Sequence, residues 1–91
     1  MYAACWYTPS AHVNQRMVER NLNWLEILFV LQHGMVTIDR RGRYHYFLRS
    51  EDIPPMVNVN KRYDHLVGIT VIVDRRKRIV ITAYRQQQLY C

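Results

Sequence analysis

A histidine and two arginines near the N-terminus are spaced so that one helix would align them. His12, Arg16 and Arg20 follow one another at intervals of four residues. Such positions advance by only about 40° per step around an α-helix, so the three side chains would form one polar stripe. An imidazole can transfer a proton near neutral pH, and guanidinium groups hold phosphate oxygens. The stripe is therefore either a site that handles phosphate or a solvated helix face.

Two helices are expected to carry and support this stripe. Residues 8–10 have the sequence of a helix start with Ser10 as the N-cap, and this helix is expected to end near Asn21. A second helix begins after Asn23, where Glu26 completes a capping box, and Gly34 is placed to end it. Because about two residues connect the helices, they should form a tight hairpin.

After the second helix, apolar residues alternate with polar ones, as is typical of strands. The predicted strands cover residues 36–38, 44–48, 66–73 and 78–84. The third is almost wholly apolar and is expected to be central, and the long connection before it contains two prolines. The sequence therefore predicts a single α+β domain over residues 1–91, in which a two-helix hairpin packs on a four-stranded antiparallel sheet.

The positive charge of the chain is concentrated in its second part. The formal net charge is +6, most of the 13 cations are arginine, and residues 1–34 contribute no net charge. In a meander of four strands, two arginine-rich turns would project from the same end of the sheet. The residues expected to bind phosphate are Arg20 on the first helix, Arg41 and Arg43 in one turn, and Arg75, Arg76 and Arg78 in the other. The expected partner is RNA or DNA, an acidic protein would suit the same surface, and charge that serves only solubility is the third interpretation.

Other classes of protein are disfavoured by the sequence. No apolar run approaches the roughly 18 residues of a membrane span. Residues 1–7 lack the basic region of a signal peptide, so we expect a cytoplasmic protein with no membrane partner. The four histidines are scattered, and Cys5 and Cys91 have no metal-binding spacing, so no metal or other cofactor is expected.

The order of several short motifs resembles a widespread bacterial domain family of unknown function. The motifs are Ser10-Ala11-His12 with Arg16-Met17 and Arg20, the step Leu22-Asn23-Trp24, the strand Arg43-Tyr44-His45-Tyr46-Phe47-Leu48, and the ending Val80-Ile81-Thr82-Ala83-Tyr84-Arg85. The likeness extends over about residues 10–86. The family is grouped with the RelE, barnase, EndoU and colicin-like nucleases.

This resemblance implies a RelE-like fold and metal-independent RNA cleavage, in which the ribose 2′-OH attacks the adjacent phosphorus. It implies a toxin that acts on RNA, including RNA associated with the ribosome. It also implies an acidic antitoxin protein as a partner. By the likeness, His12, Arg16, Tyr84 and Arg85 are the catalytic candidates, and Thr82 contacts the substrate. His12 would act as base or acid, the two arginines would hold phosphate oxygens, and Tyr84 would orient the hydroxyl or donate a proton.

Alternation along the last strand divides these candidates between two faces. Arg85 shares a face with Ile81 and Ala83, whereas Tyr84 lies on the other. If the face that contains Ile81 receives the helices, Arg85 is on the side of His12 and Tyr84 is not. The candidates then form a site only if it straddles the edge of the sheet.

Two alternatives to a ribonuclease stay open. A non-catalytic module of the same fold would use the basic turns to bind RNA or an acidic protein. A structural protein would form a homodimer through an exposed strand edge. In the ribonuclease interpretation, three aromatic side chains are candidates for stacking on unpaired bases: Tyr44, Tyr46 and Trp24.

Overall fold

The computed structural model describes residues 7–85, which form two helices and five strands. The helices are α1 (Ala11–Glu19) and α2 (Trp24–His33). The strands are β1 (Thr8–Pro9), β2 (Met35–Ile38), β3 (Tyr44–Phe47), β4 (Ile69–Asp74) and β5 (Ile79–Arg85). Three single turns of 3-10 helix, at residues 50–52, 59–61 and 64–66, interrupt the connection between β3 and β4. Within residues 7–85 no helix is long and apolar enough to cross a membrane.

The five strands form one mixed sheet in the order β1-β5-β4-β3-β2. Strands β2 to β5 pair antiparallel in sequence order, but β1 pairs parallel with β5. The prediction of a four-stranded antiparallel sheet is therefore wrong. The residues assigned to a helix start add a fifth strand, in which the backbone N–H groups of Thr8 and Ser10 donate to Arg78 and Val80. Pro9 lies between these two donors, at a position that does not donate to β5, so its lack of a backbone N–H does not remove a hydrogen bond between the strands.

The helix boundaries follow from their caps, largely as expected. The Ser10 side chain accepts a hydrogen bond from the backbone of Val13, and Asn23 and Glu26 form the predicted capping box. The first helix ends at Glu19 rather than near Asn21, because Asn21 adopts a left-handed conformation with φ 56°.

The core lies between the two helices and one face of the sheet. Helix α1 packs on β5, and α2 packs on β4 and β3. The fully buried side chains of these elements are Val13, Ile27, Val30, Ile69, Val71, Val73, Val80 and Ala83. These residues hold the helices on a sheet whose two hairpin turns project beyond the core.

A β-bulge in β5 changes which side chains reach this core. Ile72 pairs with Thr82 and Val73 with Val80, so Ile81 is an extra residue. The bulge interrupts the alternation, and Val80, rather than Ile81, is buried with Ala83. The regular alternation expected along this strand, with Ile79, Ile81, Ala83 and Arg85 on one face, is therefore interrupted at Ile81.

The edge strand β2 is exposed along its whole length. All four of its residues are exposed, including Val36 and Ile38. A homodimer that pairs this edge with a second copy stays a prediction.

Candidate functional site

The turns between β2 and β3 and between β4 and β5 enclose an open cleft at one end of the sheet. Its volume is about 470 Å³. Its lining residues are Arg41, Gly42, Arg43, Tyr44, Asp74, Arg75, Arg76 and Lys77, and we call this site the basic cleft. The expectation that the two turns project from the same end of the sheet is thus confirmed. The lining therefore contains five cationic side chains and one carboxylate.

The carboxylate of Asp39 holds the turn between β2 and β3, which forms the first wall of the cleft. One carboxylate oxygen, Oδ1, accepts hydrogen bonds from the backbone N–H groups of Arg41 at 2.8 Å and Arg43 at 3.0 Å. The other, Oδ2, lies 2.8 Å from Nε2 of His45 on β3. These hydrogen bonds, that of His45 foremost, lower the pKa of Asp39 to about 2. The ionised carboxylate therefore holds the turn in a shape that presents Arg41 and Arg43.

The second wall is fixed in a similar way by Asp74. Its Oδ1 accepts a hydrogen bond of 3.1 Å from the backbone N–H of Lys77. The turn closes at Arg78, which has a φ of 57° and whose carbonyl accepts from Thr8. Arg78 was expected to bind phosphate, but it lies outside the lining of the cleft.

One cation of the cleft is held against an aromatic ring. The guanidinium carbon of Arg75 lies 4.6 Å from the centroid of the Tyr44 ring. Hydrogen bonding to Tyr44 also raises the pKa of Arg75. Since the Tyr44 ring itself packs against the core, the position of this guanidinium is better defined than that of a free surface arginine.

The cations of the cleft are not neutralised by carboxylates, whereas two arginines elsewhere are. Among residues 7–85 none of the five cleft cations forms a salt bridge. In contrast, Arg16 is 2.8 Å from Glu19, and Arg49 is 2.7 Å from Asp52. The cleft therefore carries a net positive charge that no salt bridge within residues 7–85 neutralises.

No hydrogen bond or salt bridge within the described part of the chain joins any two of the predicted catalytic residues. His12 is exposed in the first turn of α1, and Arg16 is paired with Glu19. The Arg85 guanidinium donates to the carbonyl oxygens of Val67 and His65, both at 2.7 Å. Arg85 thus has partners of its own, and the catalytic roles of all four candidates stay predictions.

Strand register separates the candidates of β5 further. Tyr84 pairs with Thr70, and Arg85 pairs with Ile69, so their side chains lie on opposite faces of the sheet. Thr82 lies on the same face as Tyr84, away from the helices. Arg20 is the exposed C-cap of α1. Of the residues expected to bind phosphate, the structure brings together Arg41, Arg43, Arg75 and Arg76.

Two features of the cleft were not found from the sequence. These are the Asp39–His45 hydrogen bond and the cation–π contact of Arg75 with Tyr44. An aspartate that precedes a glycine-containing turn is a recognisable signal for capping the turn. The Arg75–Tyr44 contact had no such signal, because it depends on the pairing of β3 with β4.

Comparison of the chain with protein-family models, with curated proteins and with solved structures finds no match. The resemblance to the bacterial domain family, and the RelE-like toxin activity that it implies, therefore stays a hypothesis. Among residues 7–85 no group of three or more potential metal-ligating side chains comes together. Cys5 and Cys91 lie outside the described residues.

Proposed function

We propose that this protein binds RNA, with the basic cleft holding the phosphate backbone. The observation that carries the proposal is the grouping of five cations and one carboxylate between two turns. Four of the five are arginines, whose planar fork forms paired hydrogen bonds to phosphate oxygens. The absence of salt bridges to these side chains within residues 7–85 supports the same conclusion, because binding would not first have to break an ion pair.

Nucleic acid suits the cleft better than an acidic protein does. Carboxylates of a peptide would also pair with guanidinium groups, so charge alone does not separate the two partners. The cleft, however, combines its charge with an arginine whose guanidinium lies over a tyrosine ring. Cationic grooves that contain such planar groups are typical of proteins that bind single-stranded nucleic acid.

The proposal is tested with a pair of variants that remove the same charge from two places. One variant carries Arg41→Ser and Arg76→Ser, which takes one exposed cation from each wall of the cleft. The matched control carries Arg16→Ser and Arg20→Ser on α1. Binding of a fluorescent single-stranded RNA is measured by anisotropy at constant salt. We expect the cleft variant to lose about tenfold in affinity and the control to lose much less.

Two outcomes would contradict the proposal. Equal loss of affinity in the two variants would show that the RNA responds to net charge rather than to the cleft. A polyglutamate peptide that binds the native protein as tightly as the RNA does would favour an acidic protein as the partner.

Cleavage is a separate prediction that the same RNA can report on. Binding by the basic cleft requires none of the four catalytic candidates, since none of them lines it. Incubation of the bound RNA and analysis of its length would show whether the protein also cuts it. A dependence of cutting on His12, measured with His12→Ala, would support the ribonuclease hypothesis.

A further inference from the structure

Arg75 differs from the other cations of the basic cleft, because its planar group has a fixed neighbour on one side. Its guanidinium carbon lies 4.6 Å from the centre of the Tyr44 ring, and the ring packs against the core. The Arg75 side chain is nevertheless exposed and lines the cleft. The guanidinium therefore lies over the tyrosine ring on one side, and its other side is accessible from the cleft.

A guanidinium plane held in this way is a surface on which a nucleobase can stack. Arginine stacks on flat π-systems more readily than lysine does, because its charge is spread over a planar, weakly hydrated group. Bases that are not paired or stacked within a duplex offer a free face to such a plane. Tyr44 would hold the guanidinium in place, so less conformational freedom is lost when the base binds.

We propose that Arg75 forms a base-stacking subsite, in which an unpaired nucleobase lies on the guanidinium face opposite Tyr44. The flanking side chains Arg76 and Lys77 would hold the phosphates of the same strand. This inference rests on the proposed function and deepens it, because it names single-stranded RNA as the substrate class. Duplex RNA, whose bases are already stacked, would gain only the phosphate contacts.

The aromatic side chains that the sequence suggested for base stacking are placed less well. Trp24 and Tyr46 are partly buried and pack against the core. The ring of Tyr44 has one face occupied by Arg75. Unlike these three aromatic rings, the guanidinium of Arg75 belongs to a side chain that is exposed in the cleft.

The test separates the base from the phosphates by comparing two probes of equal length. One is a single-stranded RNA, and the other is the same backbone with abasic sugars. Arg75→Lys keeps the charge but removes the planar group, and Arg76→Lys is the matched control in the neighbouring position. We expect Arg75→Lys to bind the RNA about tenfold more weakly and to bind the abasic strand as the native protein does. Arg76→Lys should affect the two probes equally.

A second variant tests the role of the tyrosine ring. Tyr44→Leu keeps an apolar side chain against the core but removes the ring beneath Arg75. We expect it to lose affinity for the RNA and not for the abasic strand, with circular dichroism confirming that the protein is folded. If this variant does not fold, Arg75→Lys alone decides the question.

The possible failures are distinguishable. If Arg75→Lys weakens both probes equally, or weakens neither, the stacking subsite is refuted while binding of phosphate by the cleft stands. If the native protein binds the abasic strand as tightly as the RNA, the subsite is refuted in the same way. If the native protein binds neither probe, the proposed function fails and the subsite fails with it.

Discussion

The dependence of RNA binding on salt is the sharpest quantitative prediction from the structure. The perturbation is the double substitution Arg41→Ser and Arg76→Ser, one residue from each wall of the basic cleft. Both side chains are exposed, and neither forms a salt bridge within residues 7–85. The hydrogen bond that Arg41 gives to Asp39 comes from its backbone, so serine retains it. The change should therefore remove charge and leave the fold intact.

The size of the effect follows from counterion release. Each phosphate that a cation neutralises on a single strand adds about −0.7 to the slope of log affinity against log salt concentration. If each of the five cations of the cleft engages one phosphate, the slope is about −3.5. Loss of two contacts should reduce it to about −2.

The slope is measured by anisotropy titrations of one single-stranded RNA between about 50 and 200 mM salt. The control with Arg16→Ser and Arg20→Ser should keep the native slope. A native slope near zero would show that the positive charge of the chain does not engage phosphates. A slope that flattens in the control and not in the cleft variant would place the RNA on α1, and would refute the assignment of binding to the cleft.

The remaining predictions concern the fold that supports the site. Asn23→Ala removes one half of the capping box of α2 and should lower the free energy of unfolding by about 1 kcal/mol in urea denaturation. Gly34→Ala should lower the melting temperature, because the added Cβ would lie 2.7 Å from the backbone oxygen of Val30. The pKa of Asp39 is lowered from 3.8 to about 2, so its ionised form stabilises the native state above the higher value. This stability should be lost as the pH falls from 3.8 through about 2. The melting temperature of Asp39→Asn should therefore depend less on pH over this range than that of the native protein.

The parts of the fold that depend on local signals were predictable from the sequence. The N-cap Ser10 and the capping box of Asn23 and Glu26 form as expected, because each involves residues only three apart. The fifth strand was missed because two residues, one of them Pro9, show no periodicity. The bulge at Ile81 was missed for a related reason, since an extra residue in β5 is visible only in its register with β4.

The basic cleft itself was predictable only in part. The two arginine-rich turns were visible in the sequence, and the meander placed them at one end of the sheet. Which arginines face each other could not be derived, because the turn geometry decides it: Arg78 closes its turn with a left-handed φ of 57° and leaves the lining. The contact of Arg75 with Tyr44 joins β3 to the turn after β4, and no local spacing predicts such a contact.

The distribution of the carboxylates explains why the charge of the basic cleft is not neutralised. The chain has only seven acidic side chains, and the described structure gives most of them partners away from the cleft. Those that bond to side chains or caps elsewhere are Glu19, Glu26, Glu51, Asp52 and Asp64. Asp39 holds the turn between β2 and β3 but does not line the cleft. Asp74 is therefore the one carboxylate among residues 7–85 that lines the cleft. A net charge that served only solubility would not require this arrangement, which supports the proposal that the cleft binds a polyanion.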